Sequence, residues 1–117
     1  MEFETSTVLV FFSRDDRPVL TQSAAEEIQA AHLRFQFDLA TRGVVVTAGP
    51  FSAQSDDAMR GMTILNVDPA TARELFANDP AVTAGLLRVE TMTWHRARDT
   101  AIFHPMRVPR EGETLDL

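Results

Sequence analysis

The 117 residues contain no cysteine, no lysine and no tyrosine, and glycine occurs only five times. Without cysteine there is no disulfide, no thiolate metal ligand and no Cys nucleophile, and the redox compartment stays open. No apolar run approaches the ~20 residues of a membrane span. The longest near the N-terminus, Val8 to Phe12, follows Glu2 and Glu4 rather than a basic segment. A targeting or membrane segment is therefore not expected, and the chain reads as soluble and cytoplasmic. All 11 basic residues are arginine, against 17 acidic ones, for a net charge of −6. A general binder of phosphate backbones needs a basic face, so nucleic acid is not an expected partner. A small organic ligand is not excluded.

The scarcity extends to motifs. Gly49-Pro50 is followed by Phe51 and not by a Gly-rich helix start, so it is no phosphate loop, and no dinucleotide fingerprint occurs. His32, His95 and His104 form no ligand-spaced pair, and neither a metal nor an organic cofactor is expected. The serines lack a nucleophile-elbow context. Arg96, Arg98, Arg107 and Arg110 make the C-terminal part basic, which reads as a solvated strand end and tail.

What is present is regular patterning. Thr5 to Phe12 is a strand, β-branched and aromatic, apolar at both alternating sets and stopped by a turn-rich Ser13–Pro18 segment. Ser23 to Glu26 has capping-box spacing, and Ala25, Ile28, His32, Phe35 and Leu39 recur as one helical stripe that Gly43 ends. Val44 to Ala48 and Arg60 to Val67 read as strands. Asp68-Pro69 starts a second helix, Asp79-Pro80 a short helical turn, and Leu86 to His95 is a fourth strand at an edge. The order β-α-β-β-α-β with right-handed crossovers gives an α+β fold of ferredoxin-like topology, with the helices on one face. Residues 1–98 form the domain and 99–117 an extended tail. Since two helices cover one face only, the other is expected to be covered by a second copy, in a homodimer.

Two residues carry the candidate chemistry. His32 lies within the apolar stripe of the first helix, where the plain reading is a half-buried, hydrogen-bonded neutral imidazole. The sharper reading is a general acid/base beneath a pocket. Asp79 is on the plain reading an N-cap, and on the sharper one the carboxylate that orients His32. The topology gathers Phe12, Ser13, Gly49 and Phe51 at one rim as a substrate pocket, with backbone N–H groups near Gly49 and Phe51 facing developing negative charge.

The ordered set Ala31-His32-Leu33, Gly49-Pro50-Phe51, Gly61, Asp68-Pro69-Ala70-Thr71-Ala72, Asn78-Asp79-Pro80 before Ala84-Gly85-Leu86, and Trp94 resembles the YCII-related (YciI-like) family. The match spans roughly residues 5 to 96, although Ala81 stands where the family usually has a bulkier side chain. The resemblance implies a ferredoxin-like chain dimerising as an α/β barrel, with His32 and Asp79 as the active-site pair. It also implies isomerase- or lyase-like relatives in aromatic degradation. The resulting expectation is cofactor-independent acid/base proton transfer on a small organic acid or cyclic carbonyl compound. The alternative is a non-catalytic small-ligand-binding or accessory protein in which His32 is structural.

Overall fold

Residues Thr7 to Phe12 form an unbroken buried run, and in the computed structural model, which describes residues 1–106, they are the middle of strand β1 (Phe3–Ser13). β1 is followed by helix α1 (Gln22–Thr41), strands β2 (Val45–Pro50) and β3 (Met59–Leu65), helices α2 (Pro69–Phe76) and α3 (Pro80–Thr83), and strand β4 (Leu87–Ala97). The sheet order is β2-β3-β1-β4, with every neighbouring pair antiparallel. β1 and β2 thus run parallel, as do β3 and β4, which is the ferredoxin-like arrangement read from the sequence.

The helix ends follow from local chemistry. α1 is capped two residues before the expected capping box. Thr21, not Ser23, is the N-cap, and its hydroxyl accepts the Ala24 N–H at 3.1 Å. Its C-terminus closes on Gly43 at φ +76°, with Gly43 N–H donating to Ala40 and Val44 N–H to Leu39. That is a Schellman closure, and it sends the chain into β2. Asp68 caps α2 by accepting from Thr71 N–H at 3.0 Å, with Pro69 preset for the first turn.

Strand alternation divides the apolar residues between two faces. Leu9 and Phe11 meet Leu39, Val45, Leu65, Ala72 and Phe76 beneath the helices. Phe76 packs against Phe11 and Phe35 at ring separations of 5.8 and 5.3 Å. Val8, Val10, Phe12 and Ile64 form the opposite cluster. No helix covers that face, yet these four are buried, because long side chains of the flanking strands fold over them. The Arg88 guanidinium lies 4.3 Å from the centre of the Phe12 ring. Phe51, Met59 and Met62 border the cluster. The apolar surface left open there centres on Met92 and Trp94, both more than two-fifths exposed.

At the strand end Arg96 is tied down, whereas Arg98 and residues 99–105 are exposed, as the solvated reading expects. Arg96 donates to the Ser6 hydroxyl at 3.0 Å, pairs with Glu4 and stacks near Trp94 and Phe103. Met106 is partly buried against the helix-side core, so the expected tail touches the domain at that residue. Arg107 and Arg110 lie outside the described residues. Among those described, no helix is long and apolar enough to cross a membrane.

Candidate active site

The inward stripe of α1 is polar at its centre. Its buried residues are His32, Leu33, Gln36 and Leu39, so the stripe is rotated slightly from the one anticipated, and Ala25 is exposed. A polar pair at i and i+4 on a buried helix face requires partners from facing elements. Those partners come from α3 and β3.

Asp79 ends the short link after α2, where its carboxylate caps α3 and accepts the Ala81 N–H at 2.9 Å. The residue is fully enclosed. Its two oxygens lie 2.9 and 2.7 Å from His32 Nδ1. An ionised carboxylate can only accept, so Nδ1–H donates to it, and in the neutral ring the lone pair is then at Nε2. Gln36 Nε2 stands 3.2 Å from His32 Nε2 and donates to it, while Gln36 Oε1 accepts from the Thr63 hydroxyl at 2.5 Å. Thr63 is fully buried in β3. Phe11 presents a ring to the imidazole in an edge-on contact at 5.2 Å. One carboxylate is both the cap of α3 and the hydrogen-bond partner of His32.

A cavity of about 320 Å³ opens beside this chain of hydrogen bonds, within the range of small-molecule sites. His32, Gln36, Gln29 and Arg60 are its polar lining, and Phe11, Phe37, Leu87 and Met106 contribute apolar walls. Gly61 forms part of one wall. A Cβ there would meet Gly49 O at 2.7 Å, so the close approach of β2 and β3 at the rim requires glycine.

Of the expected pocket residues, Gly49 lines this cavity and Phe12, Ser13 and Phe51 do not. Alternation along β1 explains Phe12: Phe11 faces the helices, so Phe12 points to the opposite face. Ser13 N–H is engaged by Ala58 O at 2.8 Å at the end of β1. Phe51 has turned to the opposite cluster, and its N–H donates to Arg60 O at 2.8 Å, which removes it as a donor to a ligand. Gln36, Arg60, Phe11 and Met106 were not anticipated. Gln36 had a signal in its position four residues after His32, whereas the reach of Met106 has none.

His95 packs edge-on against Phe3 near the end of β4, and His104 is exposed. Among the described residues no group of three or more His, Asp or Glu side chains is placed to hold a metal ion.

The model of the YCII-related domain matches residues 8–95 of the chain. Among solved structures, the 5-chloro-2-hydroxyhydroquinone dehydrochlorinase of Burkholderia phenoliruptrix AC1100, in complex with 2,5-dihydroxybenzoquinone, is similar with a TM-score of 0.52 at 19% identity. That match covers 76% of this chain and 90% of the dehydrochlorinase. No curated protein matches the sequence. The matched span runs from β1 to near the end of β4 and includes both His32 and Asp79. The chain belongs to the YCII-related family.

Proposed function

We propose that the protein catalyses proton transfer on a small organic acid or cyclic carbonyl compound, as an isomerase or lyase, with His32 as the base and Asp79 as its orienting partner. The observation that carries this reading is the buried contact of 2.7 Å between the Asp79 carboxylate and Nδ1 of His32, a residue that lines the cavity. A ligand C–H or O–H within reach of Nε2 gives up its proton there. The electron pair left behind either shifts into a new double bond or expels a leaving group from the adjacent carbon. Asp79 stabilises the imidazolium that forms. Arg60, exposed on the cavity rim, replaces the Phe51 N–H as the group facing developing negative charge, alongside the backbone at Gly49. This chemistry makes no use of a metal or cofactor.

The dehydrochlorinase, named for an elimination on a hydroxylated ring, lends support by analogy of fold. We also propose a homodimer through the face that bears Met92 and Trp94, the arrangement of a dimeric α/β barrel, with residues 1–98 as the domain and the protein resident in the cytoplasm.

The experiment is a thermal-shift screen of lactones, enol acids and catechol-derived acids, followed by turnover assays of wild type and His32→Asn. Asparagine keeps an N–H donor for Asp79, so the buried carboxylate is not stranded, while the base is removed. Turnover by wild type that is lost in His32→Asn supports the enzyme. Ligands that stabilise both proteins equally, with turnover by neither, support the non-catalytic binder.

A further inference from the structure

Gln36 presents a problem that the His32–Asp79 pair alone does not raise. In the neutral site its N–H occupies the only lone pair of His32 Nε2. Once His32 carries a second proton, Nε2–H and the Gln36 N–H would be two donors facing each other in a site where both residues are only 8% exposed. A buried donor without an acceptor is costly, and more so beside a charge. The far end of the amide can carry the surplus donor away from the charge. Thr63 is a hydroxyl, able to donate or to accept, and it is the partner of Gln36 Oε1.

We infer that Gln36 is a two-way positioning residue whose side-chain amide reverses when His32 gains or loses a proton. With His32 neutral, Gln36 N–H donates to Nε2 and the Thr63 hydroxyl donates to Gln36 Oε1. With His32 charged, Nε2–H donates to Gln36 Oε1, and the Gln36 N–H donates to Thr63 Oγ1, which moves the surplus donor away from the charged ring to the neutral Thr63 hydroxyl. The oxygen and nitrogen of a primary amide are nearly isosteric, so the exchange is a half-turn about the terminal torsion and needs no backbone movement. Nothing is oxidised or reduced, and one proton enters and one N–H bond forms.

The inference deepens the acid/base reading and rests on it for its use in turnover. In the cycle, a ligand acid displaces the Gln36 N–H from the lone pair before delivering its proton. Oε1 then holds the imidazolium proton until it is returned. The groups facing the ring are few. Asp79 approaches from α3, Arg60 lines the same cavity from β3, Phe11 and Leu87 are apolar contributions of β1 and β4, and Gln29 and Gln36 belong to α1 itself.

The test needs no substrate, so it is separate from the turnover assay. Wild-type protein labelled with ¹⁵N is titrated from neutral to acid pH by NMR, following the His32 ring nitrogens and the Gln36 side-chain N–H protons. Above the His32 midpoint the amide protons should show nuclear Overhauser contacts to the imidazole ring, and below it to the Thr63 methyl group. In Gln36→Met, of similar volume, the charged ring loses its acceptor, and the midpoint should move to lower pH. Amide protons that stay against the ring below the midpoint would overturn the inference. So would a Gln36→Met midpoint that rises, the sign of an amide fixed as donor, or one that does not move, the sign of a packing role. Acid unfolding before the ring takes up a proton would also count against it, since the folded site is held to accommodate both states.

Discussion

At the scale of single residues, the central feature is one carboxylate with two structural tasks. Asp79 receives the Ala81 N–H at the start of α3 and the Nδ1–H of His32, and it is fully buried. Removing the carboxylate altogether should therefore disturb the fold as well as the site. Asp79→Ala loses the cap and leaves a buried N–H unpaired, at a cost of about 1–3 kcal/mol. Asp79→Asn keeps an oxygen for Ala81 but turns a donor toward the ring, which favours the tautomer with its proton on Nε2. That variant should retain its melting temperature within a few degrees while losing about 10²–10⁴-fold in turnover. Calorimetry and steady-state rates on the two variants separate the cap from the chemistry. Equal losses of stability in both would mean that the carboxylate matters chiefly as a charge.

A second residue-scale expectation concerns acid. Hydrogen bonds from Thr71 hold the Asp68 carboxyl below its ordinary value. A group whose folded value is depressed contributes stability above its unfolded pKa and loses it as pH falls through the folded value. Urea melts should show wild type losing stability from about pH 4 downward in part through this cap, and Asp68→Asn should lack that share of the slope.

At the scale of elements, the strands and helices follow from patterning that local chemistry reinforces. Asp68-Pro69 and Asp79-Pro80 both start helices where the cap and the fixed proline torsion predict them. Gly43 ends α1 as the only residue type that adopts its left-handed turn without strain. Capping chemistry was less decisive at Thr21, because Ser23 two residues later offers the same hydroxyl and a better-spaced glutamate. The pairing of His32 with Asp79 could be anticipated only in outline, since the two are 47 residues apart and meet through the packing of α1 on α3. The pocket was less legible still. Which of two adjacent phenylalanines faces the cavity depends on strand parity, which shifts with a single residue. Phe12 lies on the opposite face for that reason, and Phe51, just past the end of β2, packs against the same opposite cluster.

The β2–β3 contact offers an element-scale test. Gly61 sits against the Gly49 carbonyl, and a methyl group there has to push two backbones apart. Gly61→Ala should cost about 1–3 kcal/mol in chemical denaturation and widen the cavity wall it shares with Gly49. A neutral effect would show that the two strands separate easily, in which case the wall is not rigid enough to position a ligand.

At the scale of the whole molecule, the sheet has one face beneath helices and one partly shielded by its own edge side chains. Met92 and Trp94 remain open on the second face. Self-association there predicts twice the 13.0 kDa chain mass by light scattering at micromolar concentration. Met92→Glu should shift the mass toward the single chain, because a charge at the centre of an apolar contact is left unpaired. Trp94, the sole tryptophan, should report the same change as a red shift of its fluorescence on dilution. A single-chain mass at every concentration would remove the dimer.

As the base of the proposed reaction, His32 has to move a proton to and from carbon. Ligands that stabilise the wild-type protein should be incubated with it in D₂O and their carbon-bound hydrogens followed by ¹H NMR. Wild type should exchange a single acidic C–H position with solvent, or release product deuterated there, and His32→Asn should do neither while still binding the same ligand. Exchange at equal rates in wild type and His32→Asn would contradict the assignment of His32 as the base. Binding without any exchange in either protein would mean that this cavity holds its ligand and performs no proton transfer on it.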